Sequence, residues 1–376
     1  MDKRRLQLLK MIFSRMRYVW HFLLKGKFKM AYNHIWVGLF TRDSGIAVWD
    51  SMYRLFSFIR PYPETIEIEV TTRCHLRCAI CEHTYWKEPA RDMSFEEFKK
   101  IIDQFPRLKW AGPSGIGSGF LNKDYLKMLE YLKKRSVFVE FFDSFDLIDK
   151  ETAEKLVDLE IDKIWVSLDD PTPDGYARIR VGTNLEKILN NIRVMLNTKE
   201  KKRSPFPEIW FQMIVTSINV HKMPEYVELV HDLTKDKKYN YANLIFWTNI
   251  LSFKEVQGLS TGIPDEIRRE VLIRARKHNI FINWNENIQP VNPPSCCARW
   301  NEPFILVTGH VQPCCIINQA NQRDHQKLYS FGNLLEQDFH DIWRSEKLKG
   351  FLKTLKNNRF PIICKYCRMY IPDKRD

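Results

Sequence analysis

The sequence predicts an α/β fold: a parallel sheet with crossover helices, flat or curled into a barrel. Two observations carry this. From residue 62 onward, short β-rich runs alternate with helical stretches, giving six strands. Three cysteines lie in the loop after the first strand, and in such folds chemistry sits at the C-terminal strand ends. The 376 residues suffice for one large domain of roughly 200–250 residues plus something smaller. A hydrophobic content of 44%, with 28% charged and 13% aromatic residues, argues against disorder.

Residues 1–30 contain nine Lys or Arg and one acid, within a chain of net charge +13. At 100° per residue, Leu9, Ile12, Phe13, Met16, Val19, Trp20, Leu23 and Leu24 share one face, which predicts an amphipathic helix. A second apolar patch, Ile35 to Phe40, is like the first too short to span a bilayer. The start of the chain does not read as a signal peptide, because charges recur through it. The helix fits three uses: packing on the protein's own barrel, lying on a membrane surface, or docking a partner. Peripheral membrane contact through residues 1–40 is the partner expectation this segment carries.

The strands are expected at Ile66–Val70, Trp110–Gly112, Val137–Phe142, Lys163–Leu168, Ile209–Val215 and Asn243–Thr248. Helices are expected at Ser94–Gln104, Lys123–Lys134, Lys150–Leu159, Leu185–Asn197 and Met223–Leu233, with Ser94 before Glu96 and Glu97 reading as a helix start. Residues 251–284 read as a connecting helix and strand region. Beyond about residue 285 the alternation stops and six cysteines follow: Cys296, Cys297, Cys314, Cys315, Cys364 and Cys367. Phe304–Thr308 and His310–Gln312 flank Gly309 as a hairpin. The expected division is 1–61 as a basic helical segment, 62–250 as the α/β core, 251–284 as the connection and 285–376 as a cysteine-rich module. Nine cysteines without an export signal imply a reducing compartment, so the expected location is cytoplasmic, with metal binding favoured over disulfides.

Cys74, Cys78 and Cys81 follow a Cys-x3-Cys-x2-Cys spacing. Thiolates suit iron–sulfur clusters and zinc. Three cysteines can hold three irons of a [4Fe–4S] cube and leave the fourth open, as a catalytic metal requires. The competing reading is zinc completed by His75 or His83.

The stretch from Cys74 to Cys81 resembles the signature of the radical S-adenosylmethionine (SAM) enzymes. The resemblance continues over roughly residues 62–250. Gly115, Gly117, Ser118 and Gly119 resemble the family's glycine-rich loop. Ser167 to Asp170 resembles its "SxDG" strand end, Arg180 follows at the usual distance, and Val215 to Asn219 ends the fifth strand. The resemblance implies a partial (β/α)6 TIM-like barrel. It also implies a [4Fe–4S] cluster on Cys74, Cys78 and Cys81 whose open iron chelates SAM. Reductive cleavage of SAM would give a 5′-deoxyadenosyl radical that abstracts hydrogen from the substrate. Gly115, Gly117, Ser118, Ser167, Asp169 and Arg180 would contact SAM. Ile80 stands where the family usually has an aromatic, and Ser118 where it usually has Glu.

Cys297, Gly309, Cys314, then Gly332-Asn333, Trp343, Cys364 and Cys367 are similar to the SPASM/Twitch extension of these enzymes. This implies a second, auxiliary [4Fe–4S] cluster on Cys297, Cys314, Cys364 and Cys367, with Cys296 and Cys315 as alternative ligands. A four-cysteine zinc site is the competitor. The first expectation for activity is a redox enzyme acting on a small-molecule, sugar-like or lipid-linked substrate. It would draw electrons from a donor such as ferredoxin or flavodoxin. The second is a peptide-modifying maturase. The third is a non-catalytic cluster scaffold on nucleic acid, which the lack of an aromatic–basic RNA-binding motif disfavours. Strand-end candidates for substrate contact are Asp143, Ser144, Trp247, Thr248 and Asn249.

Overall fold

The computed structural model describes residues 16–40, 62–240, 243–247, 255–285, 297, 299–318, 320–365 and 367. Residues 1–15, Thr248, Asn249 and Cys296 lie outside the described residues.

Helix α1 covers residues 16–24, and Gly26 at φ 68° ends its last turn. Helix α2, Phe28–Phe40, follows. All six expected strands form: β1 (Thr65–Ile68), β2 (Trp110–Gly112), β3 (Phe138–Asp143), β4 (Lys163–Ser167), β5 (Glu208–Ile214) and β6 (Asn243–Trp247). The connecting helices are α3 (Phe95–Asp103), α4 (Tyr125–Lys134), α5 (Lys150–Asp158), α6 (Pro173–Ile179), α7 (Leu185–Lys202) and α8 (Met223–Thr234). Ser94 caps α3 with a reciprocal Glu97 bond, and Asp149 and Asn184 cap α5 and α7. The connecting region supplies helix α9 (Asp265–Lys277) and a further parallel strand, β7 (Phe281–Asn285).

The sheet order is β7-β6-β5-β4-β3-β2-β1-β8-β9. The hairpin of β8 (Phe304–Ile305) and β9 (Val311–Gln312) turns at Gly309, φ 85°. Strand β8 pairs in parallel with β1, so the cysteine-rich C-terminal part continues the sheet beside the cysteine loop.

Alternation along each strand separates two faces. Ile66, Ile68, Val139, Phe141, Ile164, Val166, Ile209, Phe211, Leu244 and Phe246 join the core shared with the helices. Glu67, Glu69, Glu140, Phe142, Lys163, Trp165, Ser167, Trp210 and Gln212 occupy the alternate positions, on the inner face of the curved sheet.

The N-terminal helices close the barrel at the N-terminal strand ends. Tyr18, Val19 and Phe22 pack on Met30, Ala31 and Phe206, while Trp36 and Val37 meet Phe138. Glu160 receives His21 at 2.9 Å, Lys25 at 2.5 Å, and Lys27. His34 contacts Asp162 at 2.6 Å. The buried face of α1 therefore differs from the expected one. Tyr18 and Phe22, one turn apart, reach the Phe206 ring, so Met16, Trp20, Leu23 and Leu24 turn outward, with Trp20 61% and Leu24 72% exposed.

Candidate active site

The loop after β1 carries the three thiols. Cys78 joins Leu76, Ile80, Ile179 and Val256 in a separate apolar cluster, with Cys74 and Cys81 packed against it. Ile80 thus supplies apolar surface within this cluster, at the position where an aromatic was expected. Burial pushes the Cys74 thiol up and the Cys81 thiol up to about 12. Two sulfurs already receive N–H donors: His83 N lies 3.4 Å from Cys81 Sγ, and Arg180 Nη1 lies 3.7 Å from Cys78 Sγ. Among the described residues, no three ligand-type side chains converge on one point. The fit to an iron–sulfur cluster rests on donor chemistry: three soft thiols on one loop in an apolar pocket, with N–H groups aimed at sulfur. A bound metal favours the thiolate and so reverses the effect of burial. The two histidines of the zinc alternative are engaged through Nε2, His75 with Asp146 at 2.5 Å and His83 with the Thr72 carbonyl at 2.8 Å.

The glycine loop lies directly on the cysteine loop. Ser118 N donates to the Arg73 carbonyl at 2.8 Å. A Cβ on Gly117 would stand 2.5 Å from the Thr71 carbonyl oxygen and 2.6 Å from that of Arg73, so only glycine permits this approach. A Cβ on Gly115 would stand 2.3 Å from the side chain of Glu69. Ser118 has no carboxylate to offer, yet Glu69 stands beside this loop. It is fully buried, accepts from Ile116 N at 3.1 Å and Val307 N at 3.2 Å, and pairs with Arg323 at 2.6 Å.

Asp169 follows the end of β4. It is fully buried and both its oxygens are engaged, one by Arg180 Nε at 2.5 Å and one by Ile214 N at 2.8 Å. It holds Arg180 beside Cys78. Asn219 joins the ends of β4 and β5 by donating to the Asp169 and Ile214 carbonyls. Ser167 Oγ accepts from Gln212 on the inner face at 2.8 Å. Asp143 is buried at the end of β3, where burial pushes its carboxyl up to about 7 and Phe145 N donates to it at 2.6 Å. Ser144 follows in the same loop, half-buried, and Trp247 closes β6.

The second set of cysteines lies at the C-terminal end of the chain. Cys314, Cys364 and Cys367 are buried in the main core, with Cys297 and Cys315 packed at its margin. Helix α10 (Arg323–Tyr329) packs on the turn Ile362–Cys364. Ala320–Gln322 packs on Glu82–Tyr85, the turn that follows Cys81. Arg323 lies over the Trp86 ring at 5.3 Å, and Lys327 pairs with Glu88 at 2.9 Å. The two cysteine-bearing regions thus meet through one interface, which the sequence did not signal.

A parallel α/β barrel with three loop thiols at the mouth and a second cysteine set packed beside them defines a class of iron–sulfur enzyme. The chain carries a radical SAM superfamily domain, whose model matches residues 68–202, and an iron–sulfur cluster-binding SPASM domain over residues 296–368. It is 25% identical over 332 residues to the tungsten-containing aldehyde ferredoxin oxidoreductase cofactor-modifying protein of Pyrococcus furiosus, covering 80% of this chain and 86% of that one. It is 22% identical over 328 residues to the PqqA peptide cyclase of Granulibacter bethesdensis, covering 83% and 81%. Among solved structures, Streptococcus suis SuiB bound to precursor peptide SuiA shares the fold, with a TM-score of 0.58 at 13% identity over 78% of this chain and 67% of that one.

Proposed function

We propose that this radical SAM enzyme modifies a peptide chain. The observation that carries the reading is the extent of the likeness to a peptide cyclase, which covers 83% of the chain. When bound, the cluster and SAM supply a one-electron cleavage that generates a hydrogen-abstracting 5′-deoxyadenosyl radical. Cys74, Cys78 and Cys81 would ligate that cluster. Arg180, fixed by Asp169, would stay against the Cys78 sulfur. Gly115, Gly117 and Ser118 would present backbone groups to the methionine end of SAM, and Ser167 would face its ribose or carboxylate. Cys297, Cys314, Cys364 and Cys367 would hold a second cluster beside the first, suited to passing an electron to or from a donor such as ferredoxin or flavodoxin. Anaerobic reconstitution with SAM, dithionite and candidate peptides tests this. Formation of 5′-deoxyadenosine with a peptide mass change supports it. Turnover of a sugar-like metabolite with no peptide modified overturns it in favour of the small-molecule reading.

The exposed Met16, Trp20, Leu23 and Leu24, on a segment rich in Lys and Arg, support peripheral contact with an anionic membrane. No helix among the described residues is long and apolar enough to cross a membrane. The contact would lie at the N-terminal strand ends, opposite the cysteine loop, so the mouth would face away from the bilayer. This weakens the lipid-linked form of the substrate reading. Trp20→Glu with Leu24→Glu should abolish sedimentation with phosphatidylserine vesicles and leave SAM cleavage intact; unchanged sedimentation refutes the contact.

A further inference from the structure

The inner face of the sheet carries an aromatic row that the chemistry above does not use. Phe142, Trp165, Trp210, Asn243 and Phe281 are in register across β3 to β7. Phe142 stacks on Trp165 at 5.6 Å and 17°, Trp165 meets Trp210 at 5.0 Å, and Trp210 meets Phe281 edge-on at 5.8 Å. The row lies two residues below Ser167 and four below Asp169, so about 7 and about 13 Å beneath the mouth. It is reachable there, since Phe142 is 48% exposed. Trp165 itself is only 6% exposed.

Three indole N–H groups on this face, those of Trp165, Trp210 and Trp247, are buried without a hydrogen-bond partner. A buried indole N–H ordinarily finds an acceptor; Trp165 and Trp210 are register partners and can share one, whereas Trp247 stands four residues further along β6, about 13 Å toward the mouth. Charge narrows what it is. Lys163 Nζ already lies 4.7 Å from the Trp165 ring centre and 5.2 Å from that of Trp210, which disfavours a second cation on those rings. Glu140 and Glu208 are the register partners of Lys163 on either side, which disfavours an anion. Glu140 lies 3.5 Å from Lys163, and Glu208 accepts from Asn243 at 3.2 Å.

We infer that this row binds an uncharged ring bearing hydroxyl or carbonyl oxygens, seated on the exposed Phe142 ring and accepting from the N–H groups of Trp165 and Trp210. This deepens the reading above and rests on the barrel interior being the substrate side. In a peptide the ring would be a phenol side chain; in a small molecule it would be a saccharide or cyclic polyol.

The test is tryptophan-fluorescence and calorimetric titration of the anaerobically prepared full-length holoenzyme. The probes are N-acetyltyrosinamide, methyl glucoside, N-acetyllysinamide and benzoate. Fragments of this size bind in the millimolar range. One or both neutral rings should bind at least about tenfold more tightly than the cation or the anion. Trp165→Phe and Trp210→Phe keep the aromatic ring and remove the N–H. Each should weaken neutral-ring binding roughly three- to tenfold, the ordinary worth of a hydrogen bond, with iron content and melting temperature unchanged. Unchanged affinity in both variants, equal binding of a charged probe, or no neutral-ring binding overturns the inference. Preference for the glucoside supports the ring site and counts against the peptide reading.

Discussion

Arg323→Leu is the sharpest structural perturbation available. Arg323 and Glu69 stand 254 positions apart and pair at 2.6 Å, with side-chain exposures of 3% and 0%. Two backbone N–H groups remain on the Glu69 carboxylate after the change, from Ile116 and Val307. They cannot replace a guanidinium, and a buried charge stripped of its partner costs about 3–5 kcal/mol. For a chain of 376 residues the unfolding entropy is about 0.8 kcal/mol/K, so the melting temperature should fall by about 4–6 °C. Glu69 also packs on Gly115, so KM for SAM should rise while the iron content holds. Adding Glu69→Gln removes the stranded charge and should recover about half of the loss. Differential scanning calorimetry of the two single variants and the double variant completes the cycle. A fall of less than about 1 °C for Arg323→Leu, or a double variant less stable than either single one, would refute the account.

Three further outcomes follow. Cys78→Ala should abolish 5′-deoxyadenosine formation, whereas Cys364→Ala should remove roughly half of the iron and spare SAM cleavage, as iron assay and chromatography will show. Gly117→Ala should eliminate SAM binding in equilibrium dialysis, because its Cβ would meet carbonyl oxygens of Thr71 and Arg73 and not a yielding side chain. Burial holds His34 below its ordinary 6.5 against the pull of Asp162, and Lys133 with His34 outweigh burial to hold Asp162 below 3.8. Both native pKa values lie below the unfolded ones, so these groups contribute fully above about pH 6.5 and lose effect as the pH falls, His34 first and Asp162 below about 4. Intrinsic-rate-corrected hydrogen exchange of α1 and α2 should therefore quicken from about pH 7 to about pH 5, and equal protection would count against it.

Much of the fold was legible because the strand signal is local. Each of the six expected strands begins or ends within two residues of its observed place, since Val, Ile and aromatic residues alternate there. The pairing of β8 with β1 was not legible, because two residues of strand carry no pattern that names a distant partner. The three thiols were legible from spacing alone. The pairing of Asp169 with Arg180 was not legible, because a carboxylate at a strand end looks the same whether it faces a ligand or an arginine. The tryptophan row was visible as period-two alternation in "IWV" and "IWF", yet its meaning needed the register between strands.

Strand β1 carries the cysteine loop, and β8 pairs along its outer edge. Glu69 and Val307 lie 238 positions apart. At ordinary rates of translation roughly 12–48 s separate their synthesis. During that interval the first strand has an unprotected edge and reactive thiols beside it, open to pairing with another nascent chain. The order of synthesis thus makes the last quarter of the polypeptide the guardian of its first cofactor site, and premature termination there would yield an aggregation-prone chain, not a smaller enzyme.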